Sequence, residues 1–87
     1  MNSLDLVEAV VITEEFFGVE IPDLEIASPA EMVDWLERNL SNSRPNKRAA
    51  ALLKKLATTH GRPELAEGLN GTWRRAQIAA IISEIFR

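Results

Sequence analysis

Four stretches of the chain carry apolar residues at helical spacing, and each is bounded by residues that start or stop a helix. These stretches are residues 4–17, 29–40, 47–60 and 73–86. Apolar side chains recur in them every three or four positions, as in an α-helix that buries one face. No internal repeat or low-complexity segment interrupts the pattern. The sequence therefore predicts an all-α fold.

Helix-terminating residues support these boundaries. Ser3 is a favourable N-cap for the first helix, and Gly18 is placed to end it. Residues 28–31 read Ser-Pro-Ala-Glu, a capping box with proline at the first helical position. Gly61 is expected to stop the third helix, and Thr72 is expected to cap the last one.

Charge divides the chain into two unequal parts. The net charge of -3 combines ten acids and one base in residues 1–40 with nine bases and three acids in residues 41–87. A polar linker at 41–46 separates them. At 87 residues the chain is near the lower limit for folding unaided. We therefore expect the acidic segment 1–40 and the basic extension 47–87 to pack as one domain, with a short helix at 63–69.

Several kinds of site and location are disfavoured by composition. The chain has no cysteine, which excludes disulfides and thiolate metal sites and fits the cytosol. His60 is the only histidine, so we expect no zinc site and no catalytic triad. Its simplest role is contact with a helix C-terminus. There is no apolar run of about 18 residues and no basic signal flank, so we expect a cytoplasmic protein.

The first helix has two contrasting faces. One is apolar and is predicted to be buried. It comprises Leu6, Val10, Thr13 and Phe17, flanked by Val7, Ala9 and Phe16. The other is acidic but includes apolar residues that a merely solvated face does not need. It comprises Leu4, Asp5, Glu8, Val11, Ile12 and Glu15. We favour a docking surface over simple solvation for this second face.

Residues 2–23 read NSLDLVEAVVITEEFFGVEIPD. This stretch resembles the central segment of acyl carrier proteins, which runs Asp-Ser-Leu-Asp, a Val-Glu pair, further acids and then Phe-Gly-(Val/Ile)-Glu-Ile-Pro-Asp. Residues 28–36 are similar to the last helix of that family, so the resemblance covers about residues 2–38. The serine, the acidic helix and the Gly-Val-Glu-Ile-Pro-Asp loop recur together at the spacing of the family.

The resemblance implies a small helical bundle that is not an enzyme. Ser3 would carry 4′-phosphopantetheine, transferred from coenzyme A, and the arm would hold acyl intermediates of lipid metabolism such as fatty acid biosynthesis. A helix N-terminus suits this role because its free N–H groups and positive dipole end favour a phosphodiester. A plain N-cap is the simpler interpretation of Ser3, and the two are compatible. Implied partners are phosphopantetheinyl transferase and acyl-processing enzymes, whose basic patches would dock on Leu4, Asp5, Glu8, Val11, Ile12 and Glu15.

The chain departs from the family pattern in three ways. Asn2 replaces the usual aspartate, the loop after Pro22 is shorter, and the helix that precedes the serine is absent. Two helices within residues 1–40 cannot close a core. We therefore expect the last helix, residues 73–86, to take the place of the missing first one, in the same chain or in a helix-swapped homodimer. A misassigned start of a longer protein is the alternative explanation.

Two other functions compete with the carrier. One is a non-carrying helical protein-interaction module that kept the carrier-like fold. The other is nucleic-acid binding by the basic half, which we disfavour because the last helix is too apolar for a groove. The basic stripe of the third helix is expected to be solvated or to face the acidic half. It comprises Lys47, Arg48, Lys54 and Lys55. Trp35 and Trp73 are predicted to lie in the core.

Overall fold

The computed structural model describes residues 3–22 and 28–87, with side chains from residue 6 onward in the first range. Four α-helices and one 3₁₀ helix make up the regular structure of these residues. They are α1 (Ser3–Phe17), α2 (Pro29–Asn39), α3 (Lys47–His60), the 3₁₀ helix (Pro63–Ala66) and α4 (Arg75–Ile85). The described residues contain no strand, and the all-α prediction is confirmed. None of the described helices is long and apolar enough to cross a membrane.

The start of α2 and both ends of α3 follow from local capping. Ser28 Oγ accepts the backbone N–H of Glu31 at 3.2 Å, as the predicted capping box requires. Asn46 caps α3, because its Oδ1 accepts the N–H of Ala49 at 2.8 Å. Gly61 ends α3 with a φ of 62°, a left-handed conformation that glycine adopts without steric cost. The predicted bounds of α3 are confirmed at both ends.

The start of α4 differs from the prediction. Thr72 is not its cap, and the helix begins at Arg75. The reason is Gln77, whose Oε1 accepts the N–H of Arg74 at 3.0 Å and whose Nε2 donates to the carbonyl of Glu67 at 3.2 Å. These bonds tie the helix start to the segment before it. The short helix predicted for 63–69 is likewise only the 3₁₀ helix Pro63–Ala66.

One apolar core joins the two differently charged parts of the chain. Its α4 members Ile78, Ile81 and Ile82 are almost completely buried. Phe17 of α1 packs against Trp73, with 5.0 Å between the ring centroids. Trp73 is therefore a core residue as predicted, and Trp35 packs partly against the same cluster. The other members of this core are Phe16, Ile21, Met32, Val33, Leu36, Leu40, Ala49, Leu53, Leu56, Ala57 and Leu65.

Helix α4 is the central packing element of the described structure. It lies close to α1, α2, α3 and the 3₁₀ helix, whereas no α-carbon of α1 comes within 8 Å of an α-carbon of α2 over the ranges described. Both acidic helices are therefore joined through α4. This confirms that the last helix packs on the acidic segment within the same chain. The helix-swapped homodimer stays a prediction. Its equivalence to the first helix of a carrier protein stays a prediction.

Polar contacts also connect the two parts. Arg75 Nη1 lies 2.7 Å from Asp34 Oδ1 and 3.4 Å from Glu37 Oε1, which joins the start of α4 to α2. The pKa of Arg75 is raised above its ordinary value, mainly by the hydrogen bond to Asp34. In the linker, the carbonyl of Ser43 accepts the N–H of Trp73 at 2.9 Å, and Asn46 Nδ2 donates to the carbonyl of Phe16 at 3.2 Å. The linker at 41–46 is thus bound to the core on both sides.

Candidate functional site

Ser3, the predicted attachment residue, is the first residue of α1. The side chains of Ser3, Leu4 and Asp5 lie outside the described residues, as does Asn2. The first four N–H groups of an α-helix have no partner within the helix, and they lie at its positive dipole end. Ser3 therefore stands at the end of α1 where an attached phosphate is electrostatically favoured.

The acidic face of α1 is open to solvent. Glu8 and Glu15 are exposed, and Val11 and Ile12 keep 45% and 46% of their surface accessible. No basic residue occurs in α1, and no ion pair of the described residues involves Glu8 or Glu15. Four of the six predicted docking residues are thus exposed on one helix, and the other two, Leu4 and Asp5, lie outside the described side chains.

The predicted buried face of α1 needs a correction at Val7, which is 58% exposed. The core side of the helix is centred on Ala9, Thr13 and Phe16 instead. Leu6 and Val10, which were predicted to be buried, are only partly buried. The reason is that the backbone of α1 approaches α3 and α4 but not α2, so its neighbours cover a narrower stripe than the apolar pattern suggests. Thr13 is buried with its hydroxyl satisfied, because Oγ1 donates to the carbonyl of Ala9 at 2.7 Å.

The apolar residues that α1 leaves uncovered form one side of a groove. Its volume is about 160 Å³, and Ile21 and Pro22 form the other side. Glu14 holds the two sides together, because its Oε2 accepts the N–H of Ile21 at 2.8 Å. The α1 residues that line the groove are Leu6, Val7, Val10, Val11 and Glu14. Sequence reasoning missed this groove, although nine apolar residues among the 15 of α1 are more than one helix face can bury.

A second, more polar cleft of about 260 Å³ lies where α3 and α4 end. His60, Arg62 and Arg87 line it, but the two arginines form ion pairs with Glu64 at 2.9 Å and Glu84 at 3.0 Å. The pKa of Glu64 is lowered, first by a hydrogen bond with the backbone and second by the hydrogen bond with the side chain of Arg62. The described residues contain no group of three His, Cys, Asp or Glu that could hold a metal ion.

The basic stripe of α3 is exposed along its length. Arg48 alone has a described ring contact, since its guanidinium carbon lies 5.1 Å from the centroid of Phe16. The described ion pairs do not include the three lysines of the stripe. The three lysines of the stripe are therefore exposed to solvent, which was one of the two expectations for it. The ion pairs between the acidic and basic parts are made by Arg75 instead.

Comparison with known proteins does not place the chain in a family. No protein-family model matches it, and no solved structure matches its fold. The resemblance of residues 2–38 to acyl carrier proteins remains a prediction from the motif. In the structure, Ser3 begins α1, the acidic face of this helix is exposed and an apolar groove adjoins it.

Proposed function

We propose that this chain is a cytoplasmic acyl carrier protein that holds acyl groups as thioesters on a phosphopantetheine arm attached to Ser3. The supporting observation is that Ser3 begins a helix whose exposed face combines acids with apolar residues. In the proposed role, a transferase modifies the serine, and the adjoining face binds the enzymes that use the acyl groups. The protein itself catalyses nothing.

The attachment chemistry follows from the position of Ser3. The serine oxygen attacks the phosphorus of coenzyme A that bears the pantetheine group, and its proton passes to a base of the transferase. The bond from that phosphorus to the adenosine bisphosphate breaks, and a phosphodiester forms at the serine. The product is anionic, and the free N–H groups of the first turn of α1 favour it over a neutral substituent.

The groove beside α1 suits an apolar cargo. Leu6 and Val7, which line it, lie three and four residues after Ser3 and hence about one helical turn away. The groove has a volume of about 160 Å³, is open to solvent and is lined mainly by apolar side chains. In the proposed role it would shelter the first carbons of an acyl chain.

The exposed face suits partners with basic surfaces. Glu8 and Glu15 would attract such a surface and speed encounter, particularly at low ionic strength. Val11 and Ile12 lie between them and would supply apolar contact once the complex has formed. Transferase and acyl-processing enzymes are the partner classes that this combination supports.

Intact-mass spectrometry tests the modification directly. The purified chain is incubated with coenzyme A and a promiscuous phosphopantetheinyl transferase. We expect the mass to rise by one phosphopantetheinyl group in the wild type and in Ser41→Ala, an exposed serine outside the motif. Ser3→Ala should gain nothing. An equal gain in Ser3→Ala, or no gain in any variant with several transferases, would contradict the proposal.

A non-carrying interaction module is the second candidate. The exposed Val7, Val11 and Ile12 favour it, because an apolar surface can bind a protein without any covalent arm. The two functions separate in the same experiment. A module would present the same surface and remain unmodified by every transferase.

A further inference from the structure

Two exposed helix faces of this molecule, one on α1 and one on α3, have opposite charge. The α1 face has Glu8 and Glu15 with Val11 between them, and all three are exposed. The α3 face has lysines and an arginine around small side chains, again all exposed. It comprises Lys47, Arg48, Ala51, Lys54, Lys55 and Thr58.

The charges on the two faces repeat at the same distance. Glu8 and Glu15 are seven residues apart, which is about 10.5 Å along a helix. Lys47 and Lys54 have the same separation. Two helices that pack side by side with these residues facing each other can therefore form both ion pairs at once.

The residues between the charges fix the orientation. Val11 lies three residues after Glu8 and four before Glu15. Ala51 lies three residues before Lys54 and four after Lys47. With the helices antiparallel, Glu8 faces Lys54, Val11 faces Ala51 and Glu15 faces Lys47. A parallel arrangement would put Val11 and Ala51 one residue out of register. Alanine at this position lets the two backbones approach closely.

These faces do not pair within one molecule. The ends of α1 and α3 meet instead at Phe16, whose carbonyl accepts a hydrogen bond from Asn46 and whose ring lies beneath Arg48. No ion pair of the described residues joins α1 to α3. Two α1 faces would bring like charges together, which disfavours a symmetric α1 contact. A nucleic acid on α3 would leave the exposed valines of α1 uncovered.

We propose that the acidic face of α1 in one copy binds the basic face of α3 in a second copy, with the helices antiparallel. The contact uses different surfaces on the two copies, so association continues from copy to copy unless the geometry closes a ring. One helix pair with exposed charges makes a small interface, and its association is weak and salt-sensitive. The inference does not depend on modification of Ser3.

Sedimentation velocity over a concentration series at low ionic strength tests it. The weight-average sedimentation coefficient of the wild type should rise with concentration. It should return to the monomer value at about 1 M salt, where the Debye length is about 3 Å. Glu15→Lys and Lys47→Glu should each weaken association about tenfold, because each reversal replaces an attraction with a repulsion. Mixing Glu8→Lys/Glu15→Lys with Lys47→Glu/Lys54→Glu should restore heteromeric association.

Matched controls separate a specific contact from net charge. Glu20→Lys and Arg38→Glu change the charge by the same amounts at exposed positions outside both faces and should leave association unchanged. Ala51→Gln changes no charge and should weaken association by obstructing the close approach. Circular dichroism checks that each variant remains helical.

Three results would overturn the proposal. The first is a wild type that stays monomeric at every concentration at low ionic strength. The second is weakening by the control variants equal to that of the face variants. The third is a monomer that binds short duplex DNA and loses that binding in Lys47→Glu/Lys54→Glu, which would assign the α3 face to nucleic acid.

Discussion

Truncation of Ile81 to alanine tests whether α4 closes the core of this chain. Ile81 is fully buried, and its helix packs on α1, α2 and α3 together. Because neighbours surround the site on several sides, the cavity left by the lost methyl and methylene groups cannot collapse fully. Comparable buried Ile→Ala changes cost about 2–5 kcal/mol. We expect about 3 kcal/mol, which lowers the Tm of a domain of this size by about 12–24 °C.

Urea unfolding followed by circular dichroism measures this loss, with Ile12→Ala as the matched control. Ile12 lies in α1 and is 46% exposed, so the same truncation removes little buried surface there. Both changes gain the same helix propensity from alanine, and that contribution cancels in the comparison. A loss for Ile81→Ala no greater than for Ile12→Ala would refute the central position of α4.

Three further predictions concern the polar contacts that position the helices. Asn46→Ala should cost about 1–2 kcal/mol in urea unfolding and more than Ser28→Ala, because Asn46 caps α3 and also donates to a carbonyl of α1. Gln77→Ala should cost about 1–3 kcal/mol in the same assay, because the N–H of Arg74 and the carbonyl of Glu67 lose their hydrogen bonds to this side chain. NMR titration should find the pKa of Glu64 below its ordinary value, and still partly lowered in Arg62→Ala because the backbone hydrogen bond contributes most. Folding lowers this pKa, so the stability that Glu64 contributes is present above its unfolded pKa and is lost as pH falls through the folded one.

The bounds of α2 and α3 could be predicted because their signals are local. Gly61 stops α3 through a backbone conformation that depends on one residue. The box at 28–31 starts α2 through a hydrogen bond that spans only three residues. Such interactions form with the helix itself and need no distant partner. The same holds for the exposed charges of Glu8 and Glu15, which follow from their place in the α1 pattern.

The start of α4 and the groove could not be predicted in this way. Thr72 has the chemistry of a cap, but the hydrogen bonds of Gln77 to the segment before α4 place the start at Arg75. The groove depends on Ile21 and Pro22 approaching α1, a contact between segments that periodicity does not describe. Its one sequence signal is the excess of apolar residues in α1.

The amino-acid sequence by itself determined that the chain is helical, where α2 and α3 begin and end, and which residues of α1 are acidic. Only the tertiary structure decided which side of each helix is covered. Val7 shows the difference, since it lies in an apolar pattern yet is exposed, because the backbone of α1 approaches α3 and α4 but not α2. Helical periodicity depends on neighbours within one turn, whereas burial depends on which other helices pack against a face. That packing is determined by the whole core, in which Ile81 and Ile82 of α4 are buried.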